Sequence, residues 1–258
     1  MRTYFFLAAG IAALFAAPVM AQSTDNEKII GVGARVRAAY DGADSNRGDA
    51  IPYLRLYGEH LFARSTQGML EGGWRTRALG AWVFGAQAAY ESGRVTNESA
   101  FLKARHFENL DPGASMGLHA EGDWKIGPMP VSALLRYRRH IDSDRGAQAD
   151  LRVTAGIFAR WGVQAGVFGQ LSWGDAKSMQ SYFGLTPRQS TITGLPEYAA
   201  GAGARDLQFG LLGSVELSPH WLIPWGVSIQ RLLGDAADSP IAIERTNASA
   251  NAGIAYRF

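Results

Sequence analysis

Five histidines are the side chains of this sequence most able to carry acid–base or metal chemistry. A barrel-shaped protease or lipase pairs a histidine with a carboxylate or a serine, because a general base must lie within hydrogen-bond reach of the nucleophile. His119 and Glu121 fall on one side of a predicted strand, but they lie at its middle, and no Asp–His or Ser–His grouping recurs beside them. Isolated histidines at these spacings form no metal ligand set. The five are His60, His106, His119, His140 and His220.

Other motifs that could bind a cofactor or a polyanion are weak. The chain contains no cysteine, so it has neither a thiolate metal site nor a disulfide framework. The glycines of 31–33 and 201–203 resemble part of a dinucleotide loop, but neither pair joins a strand to a helix. Lys and Arg number 25 against 23 Asp and Glu, which implies no nucleic acid partner. We predict no catalytic residue, no cofactor and no metal.

Charged residues at alternating positions of successive segments are the second set of candidate functional residues. One interpretation is the lining of an ion-selective or solute-selective pore. The other, which we favour, is a network that satisfies buried charge inside a narrow barrel. Arg outnumbers Lys 21 to 4, and Arg is the better partner for fixed carboxylates. Phe168 and Leu134 fall on the same side and would narrow the lumen. The predicted lumenal charges are Arg35, Arg37, Glu121, Asp123, Arg136, Arg138, Asp150, Arg152 and Glu216.

The elements that position these charges are long amphipathic strands. Residues 30–40 alternate strictly between an apolar and a polar row, and the pattern recurs at 79–92, 115–126, 130–140, 148–160, 162–173, 205–217 and 220–231. Ten to twelve residues is the length that crosses a bilayer at a tilt of about 45°. Aromatic residues near the ends of the apolar rows indicate interfacial girdles: Tyr40, Tyr90, Trp124, Trp173 and Trp221.

Composition limits the fold classes to two. Of 258 residues, 31 are Gly and only 19% are charged, and no run of 18 apolar residues follows the N-terminus, which excludes a helical membrane protein. A soluble β-sandwich also alternates, but it would place its aromatic residues at strand centres, as Phe84, Phe209 and Trp225 partly do. We predict a single antiparallel transmembrane β-barrel.

The N-terminus indicates export. Arg2 precedes an apolar run that is too short to span a membrane, and a small-x-Ala sequence predicts cleavage before Gln22. A retained anchor helix is the alternative. The predicted domains are a signal peptide (1–21), a polar periplasmic tail (22–28) and the barrel (29–258).

Connections sort by length into short turns at one end and long loops at the other, as in outer-membrane barrels. The predicted turns are 76–79, 126–129, 160–162 and 217–219, and the predicted loops are 41–49, 92–112, 174–204 and 234–247. Twelve strands result if 50–63 divides near Gly58, with strands at 59–64 and 68–74; ten is the alternative count. The segment 174–204 is predicted to be the largest exposed excursion, open to protease at Arg188.

The last strand alternates through Tyr256 to a terminal Phe258. This ending resembles the closing strand of bacterial outer-membrane barrels, whose terminal aromatic residue is read by the insertion machinery. It predicts contact with that machinery and with outer-membrane lipids.

Three segments carry a more specific resemblance. They are Tyr182–Ser190 (YFGLTPRQS) with Gly194–Tyr198 (GLPEY), Arg231–Ile241 (RLLGDAADSPI), and the opening Gly31–Ala34 through Tyr40–Gly42 to Ile51–Tyr53. Their residues and their order along the chain resemble those of the MipA/OmpV family of MltA-interacting outer-membrane proteins. The resemblance implies an outer-membrane barrel without enzymatic activity that acts as a scaffold between a lytic transglycosylase and a murein synthase. Porin-like channels and adhesins in the same family imply the alternatives, and no catalytic residue is carried over.

A scaffold of this kind must bind murein enzymes in the periplasm, where the turns are short. A stable interface usually buries about 800 Å² on each partner. The contact would therefore combine several turns and the tail 22–28, a polar segment that can order on binding. The predicted contact residues are Arg77, Arg160, Trp161 and His220, with Pro128 and Pro219.

Overall fold

A closed barrel of twelve antiparallel strands dominates the computed structural model, which describes residues 28–66 and 68–258. Each strand pairs with its neighbours along the chain, and β1 pairs with β12 to close the barrel. The predicted signal peptide and nearly all of the predicted tail lie outside the described residues. The strands are β1 (Lys28–Ala38), β2 (Asn46–Tyr57), β3 (Leu61–Thr66), β4 (Met69–Ala78), β5 (Trp82–Glu91), β6 (Gly113–Ile126), β7 (Met129–His140), β8 (Ala147–Arg160), β9 (Val163–Gly174), β10 (Gly203–Glu216), β11 (Trp221–Leu232) and β12 (Thr246–Arg257).

The predicted fold class and strand count are confirmed. The uncertain region 50–75 divides as expected, because β2 ends at Tyr57 and the Gly58 amide donates to the Leu61 carbonyl at 2.8 Å to form the turn. One predicted turn is misplaced: β4 continues to Ala78, so the turn lies at 79–81 rather than 76–79.

The alternation of the sequence becomes an outer and an inner face of the barrel wall. On β1, Val32 and Val36 are 67% and 55% exposed on the outside, while Arg35 and Arg37 on the opposite parity ion-pair with Asp49 inside the lumen. Apolar side chains are stable on the outside only where lipid replaces water, which is the arrangement of a membrane barrel.

Two positions depart from the simple alternation. Tyr40, expected in the aromatic girdle, is 5% exposed and packs under the loops, where its hydroxyl donates to the Ile241 carbonyl at 3.0 Å. A β-bulge between Gly156 and Phe158 inserts one residue into β8. Beyond the bulge, Arg160 stands opposite Val163 on the outer face, because an extra residue reverses the parity of the rest of the strand.

The loops at the extracellular end contain short helices instead of irregular chain. They are α1 (Ala100–Ala104), α2 (Ala176–Phe183), α3 (Pro187–Thr193) and α4 (Gly234–Ala237), with 3-10 turns at Thr96–Glu98 and Ser143–Arg145. Thr186 caps α3 with a capping box, and Gly194 ends it in a left-handed conformation. None of the helices in the described part of the chain is long and apolar enough to cross a membrane.

Candidate functional site

A buried ion-pair network crosses the lumen at mid-barrel. Arg136 of β7 is 1% exposed, and its guanidinium lies 3.1 Å from Glu71 of β4 and 3.4 Å from Asp150 of β8. Arg138 contributes a second bond to Asp150 at 2.9 Å. These four side chains connect β4, β7 and β8 through the lumen, so the network braces this side of the barrel wall.

Glu71 is the central carboxylate, and the sequence interpretation did not include it. Arg64 of β3 donates to Glu71 through Nε at 2.5 Å and also ion-pairs with Glu121 of β6. The signal was present in β4, where Leu70 and Trp74 face outward and Glu71 and Arg75 alternate with them. It was missed because the rows of region 50–75 are not cleanly apolar and polar, so the strand predicted at 68–74 was not assigned a lumenal face.

A second charged group lies nearer the extracellular end. Three guanidiniums share the Asp49 carboxylate: Arg35 at 2.9 Å, Arg37 at 2.8 Å, and Arg47. Arg47 also pairs with Glu98 of the loop between β5 and β6. This group, the Asp49 cluster, therefore links the β1–β2 wall to that loop.

The remaining predicted lumenal residues are distributed differently. Arg152 stacks on the ring of lumen-facing Phe168 with its guanidinium carbon 3.9 Å from the ring centroid, and Asp123 lines the central cavity. Glu216 is not near the network: it bonds to Arg257 at 2.9 Å at the periplasmic rim, with about a third of its side chain exposed. The predicted set thus falls into a mid-barrel network, the Asp49 cluster and a separate rim pair.

Loop segments pack into a folded layer over the extracellular mouth, which we call the cap (residues 39–45, 92–112, 175–202 and 233–245). Two apolar clusters form its interior. The segment 174–204, predicted to be an exposed excursion, is the longest connection but buries Met179, Phe183 and Leu185 to 1–2% exposure. Arg188 remains exposed on α3. The segment is thus the longest connection, as predicted, and many of its residues are exposed, but its apolar residues pack on neighbouring loops, so it is a folded part of the cap.

Hydrogen bonds between loops hold the cap together. Arg94 donates to the Tyr182 carbonyl at 2.7 Å, and Arg145 donates to the Tyr182 hydroxyl at 2.8 Å. Burial raises the pKa of the Tyr182 hydroxyl above its ordinary value, so this group stays protonated. Ser239 donates to the Phe183 carbonyl at 2.6 Å. These bonds join four connections that are far apart in the sequence: 92–112, 141–146, 175–202 and 233–245.

A cavity of about 540 Å³ lies beneath the cap. Tyr40, Tyr182 and Phe183 are among its lining residues at the cap, and Arg64, Arg138 and Arg152 at the walls. No group of three His, Cys, Asp or Glu side chains in residues 28–66 and 68–258 could hold a metal ion. Its charged lining comprises eight Arg and five Asp or Glu side chains, and neutral polar and apolar groups form the rest.

The periplasmic rim presents apolar side chains on strained turns. Leu79 and Trp161 are 81% and 77% exposed, and both have positive φ, 52° and 56°. A left-handed conformation costs a non-glycine residue roughly 1–2 kcal/mol, and Asn, Asp or Gly is usual at such turn positions. The Arg160 guanidinium stacks on the Trp161 ring at 4.3 Å, and Arg77 is exposed at the end of β4.

The ring of His220 stacks on Tyr256 at the same rim. Tyr256 also contacts Trp221 and Phe258 edge to face, with centroids 5.2 and 5.0 Å apart. The closing strand is thereby joined to β11, and the Phe258 amide donates to the Lys28 carbonyl at 3.0 Å. Phe258 itself stays 70% exposed.

Comparison with known proteins gives a family and a fold. A family model described as MltA-interacting protein MipA matches residues 30–258. No curated protein matches the chain in sequence. The COG4313 outer membrane channel from Pseudomonas putida F1 superposes with a TM-score of 0.52 at 13% identity, covering 94% of this chain and 100% of that one. The translocator domain of autotransporter NalP from Neisseria meningitidis gives a TM-score of 0.41 at 15% identity, covering 93% and 91%.

Proposed function

The chain belongs to the MipA family of MltA-interacting proteins, and on that premise we propose that it is a non-enzymatic scaffold which binds a murein-cleaving lytic transglycosylase at its periplasmic rim and holds it near a murein synthase. The protein is an outer-membrane β-barrel. Its periplasmic turns therefore face the murein layer, where such enzymes act.

One observation carries the proposal: the exposed, strained Leu79 and Trp161 at the rim. Neither side chain packs in the barrel interior, so barrel stability does not explain a large apolar residue at a left-handed position. Trp is the residue type most enriched among the energetic centres of protein interfaces. An enzyme surface that buries these side chains would account for both their exposure and their conformation.

The charges beside them suit a partner with an acidic surface. Arg160 holds the Trp161 ring by stacking, and Arg77 lies on β4 next to the Leu79 turn. The turns are only two to four residues long, so the interface must combine several of them to approach about 800 Å² per partner.

The test is capture of a purified soluble lytic transglycosylase of the MltA type by the barrel in detergent micelles. Changing Leu79→Asn together with Trp161→Asn should weaken capture at least tenfold, since losing a central Trp typically costs about 2 kcal/mol or more. Asn tolerates positive φ, so these variants should fold at least as well as the parent.

Ile141→Asn is the matched control, because Ile141 is 65% exposed at the opposite, extracellular end. It should leave capture unchanged, as should trimming of 175–202. Undiminished capture by the double variant, or loss of capture on trimming the loop, would overturn the rim as the binding surface and favour the adhesin-like alternative.

A passive diffusion channel is the second candidate, and the Arg-lined cavity of about 540 Å³ favours it. The cap over the extracellular mouth opposes it, because the loops there are packed and hydrogen-bonded. If the intact purified barrel shows steady conductance, the channel function is favoured over the scaffold function.

A further inference from the structure

The barrel wall has a notch in its extracellular half. β2 pairs with β1 along its whole length, from Asn46 to Leu56, but the described pairs with β3 comprise only Arg55, Leu56 and Tyr57. The β3–β4 hairpin turns back near Gly68, several residues short of the top of β2. Among the described residues, Asn46–Pro52 therefore has no strand on its β3 side, a span of about 20 Å at 3.3 Å per residue.

The residue types along the free edge of β2 are those expected where no neighbouring strand pairs. The Leu54 amide points to the β3 side, where it donates to Ser65, so the peptide groups of the same parity point the same way. Pro52 has this parity and lacks an N–H, as is usual on an edge strand. Gly48 has the same parity and pairs with lipid-facing Val36, and a Cβ added at Gly48 would meet no atom within 4 Å on that outer face. The outer face at Gly48 is therefore open.

The notch lies at the level of the membrane. Pro52 and Gly48 stand opposite Val32 and Val36 of β1, which are exposed to lipid. A bare strand edge is not stable in hydrocarbon, since each unsatisfied peptide group there costs several kcal/mol. The edge must therefore face water or polar groups.

Cations stand directly inside this opening. The Arg35 guanidinium reaches from β1 to the hairpin turn, where a Cβ at Gly68 would overlap it, so the glycine makes room for the cation. The Asp49 cluster holds three guanidiniums against the carboxylates of Asp49 and Glu98, which leaves an excess of one positive charge. The central cavity borders both sides of the notch, because Pro52 and Gly68 line it.

We propose that this notch is a lateral binding site for an anionic amphiphile of the outer leaflet, a phosphorylated lipid. Its head group binds inside at Arg35, Arg37 and Arg47, and its acyl chain leaves between β2 and the β3–β4 hairpin. The cap covers the extracellular mouth and the notch faces lipid, so a molecule with a charged head and an apolar tail fits the notch better than a free solute. This site is independent of the scaffold function.

The test measures binding of phosphatidic acid to the full protein in uncharged detergent by native mass spectrometry. We expect one tightly held lipid per barrel, with phosphatidylcholine and glycerol phosphate each binding at least tenfold more weakly. Arg35→Gln with Arg47→Gln should weaken binding at least tenfold while Arg37 still pairs with Asp49. Arg188→Gln with Arg245→Gln removes the same charge from exposed extracellular positions and should have no effect.

A second variant guards against loss of folding. Gly48→Phe places a bulky ring on the lipid-facing side of the β2 edge, in the path of the acyl chain, without changing any charge. It should also reduce binding while the barrel keeps its heat-dependent electrophoretic mobility. A photoreactive acyl chain should label β2 and not β12. Equal binding of phosphatidylcholine, equal binding of glycerol phosphate, or labelling spread around the barrel would each overturn the site. If the Gly48→Cys variant cross-links to a polypeptide in envelopes, the β2 edge binds an added strand from a partner and the lipid site is wrong.

Discussion

At the scale of single residues, burial distinguishes the ion pairs that contribute strongly to barrel stability from those that contribute little. Arg136 and Glu71 are almost completely buried, and each is held by more than one partner. Removing one member of such a group leaves a desolvated opposite charge without its full compensation. Arg245 and Asp238 form a pair of similar length, but both side chains are more than 60% exposed, so water and salt screen their attraction.

The first prediction follows from this difference. Arg136→Ala should lower the free energy of unfolding by about 3–5 kcal/mol, whereas Arg245→Ala should lower it by at most about 1 kcal/mol. Tryptophan fluorescence during guanidinium unfolding of the barrel in lipid vesicles measures both. Equal, small effects of the two substitutions would show that water reaches the Arg136 network and screens it.

At the scale of elements, the strands and the cap are built by different rules. The strands depend on alternation and on hydrogen bonds to neighbours. The cap depends on a few apolar anchors such as Phe183, which α2 places beneath the loops at 1% exposure. Its helices are short, so they owe their stability to packing rather than to intrinsic propensity.

The second prediction concerns proteolysis of the cap. Trypsin cleavage at Arg188 requires local unfolding of α3, so it should be slow on intact cells. Phe183→Ala should cost about 3–5 kcal/mol of local packing and accelerate cleavage by at least about a hundredfold. Ile192→Ala, at a half-exposed position on α3 together with Arg188, should change the cleavage rate little. Rapid cleavage of the parent protein would mean that the cap opens readily in the membrane.

At the scale of the whole molecule, the two ends of the barrel differ in kind. The extracellular end is closed by a cap with its own apolar interior, and the periplasmic end exposes short turns. Ions that cross the barrel must pass the cap and the Arg136 network in series.

The third prediction is electrical. The intact barrel should show no steady conductance in planar bilayers, and a variant with 175–202 replaced by a short turn should conduct. Arg136→Ala with Arg138→Ala in that trimmed variant should reduce its preference for anions, because these guanidiniums lie at the narrow mid-barrel. If the trimmed variant shows no conductance, the ion-pair network alone blocks the lumen.

The sequence by itself determined the fold class, the strand count, the lipid-facing rows and the family. The fold class and the lipid-facing rows follow from a period of two, because every lipid-facing position must be apolar and the next one faces the lumen. The strand count follows from the division of 50–63 near Gly58, and the family from the motifs at 182–198 and 231–241. β1 and β6 illustrate this most directly, since their exposed residues are the predicted apolar rows.

Only the tertiary structure decided which charges meet, how the loops fold, and where the wall opens. Arg136 pairs with Glu71 because the curvature of the wall brings β7 and β4, three strands apart, within side-chain reach inside the lumen, a contact that local periodicity does not encode. Tyr40 continues the apolar row of β1 yet belongs to the cap, since loops from four parts of the chain converge on it. The bulge in β8 and the short β3 are local events whose consequences, the reversed Arg160 and the notch beside β2, depend on the register of neighbouring strands.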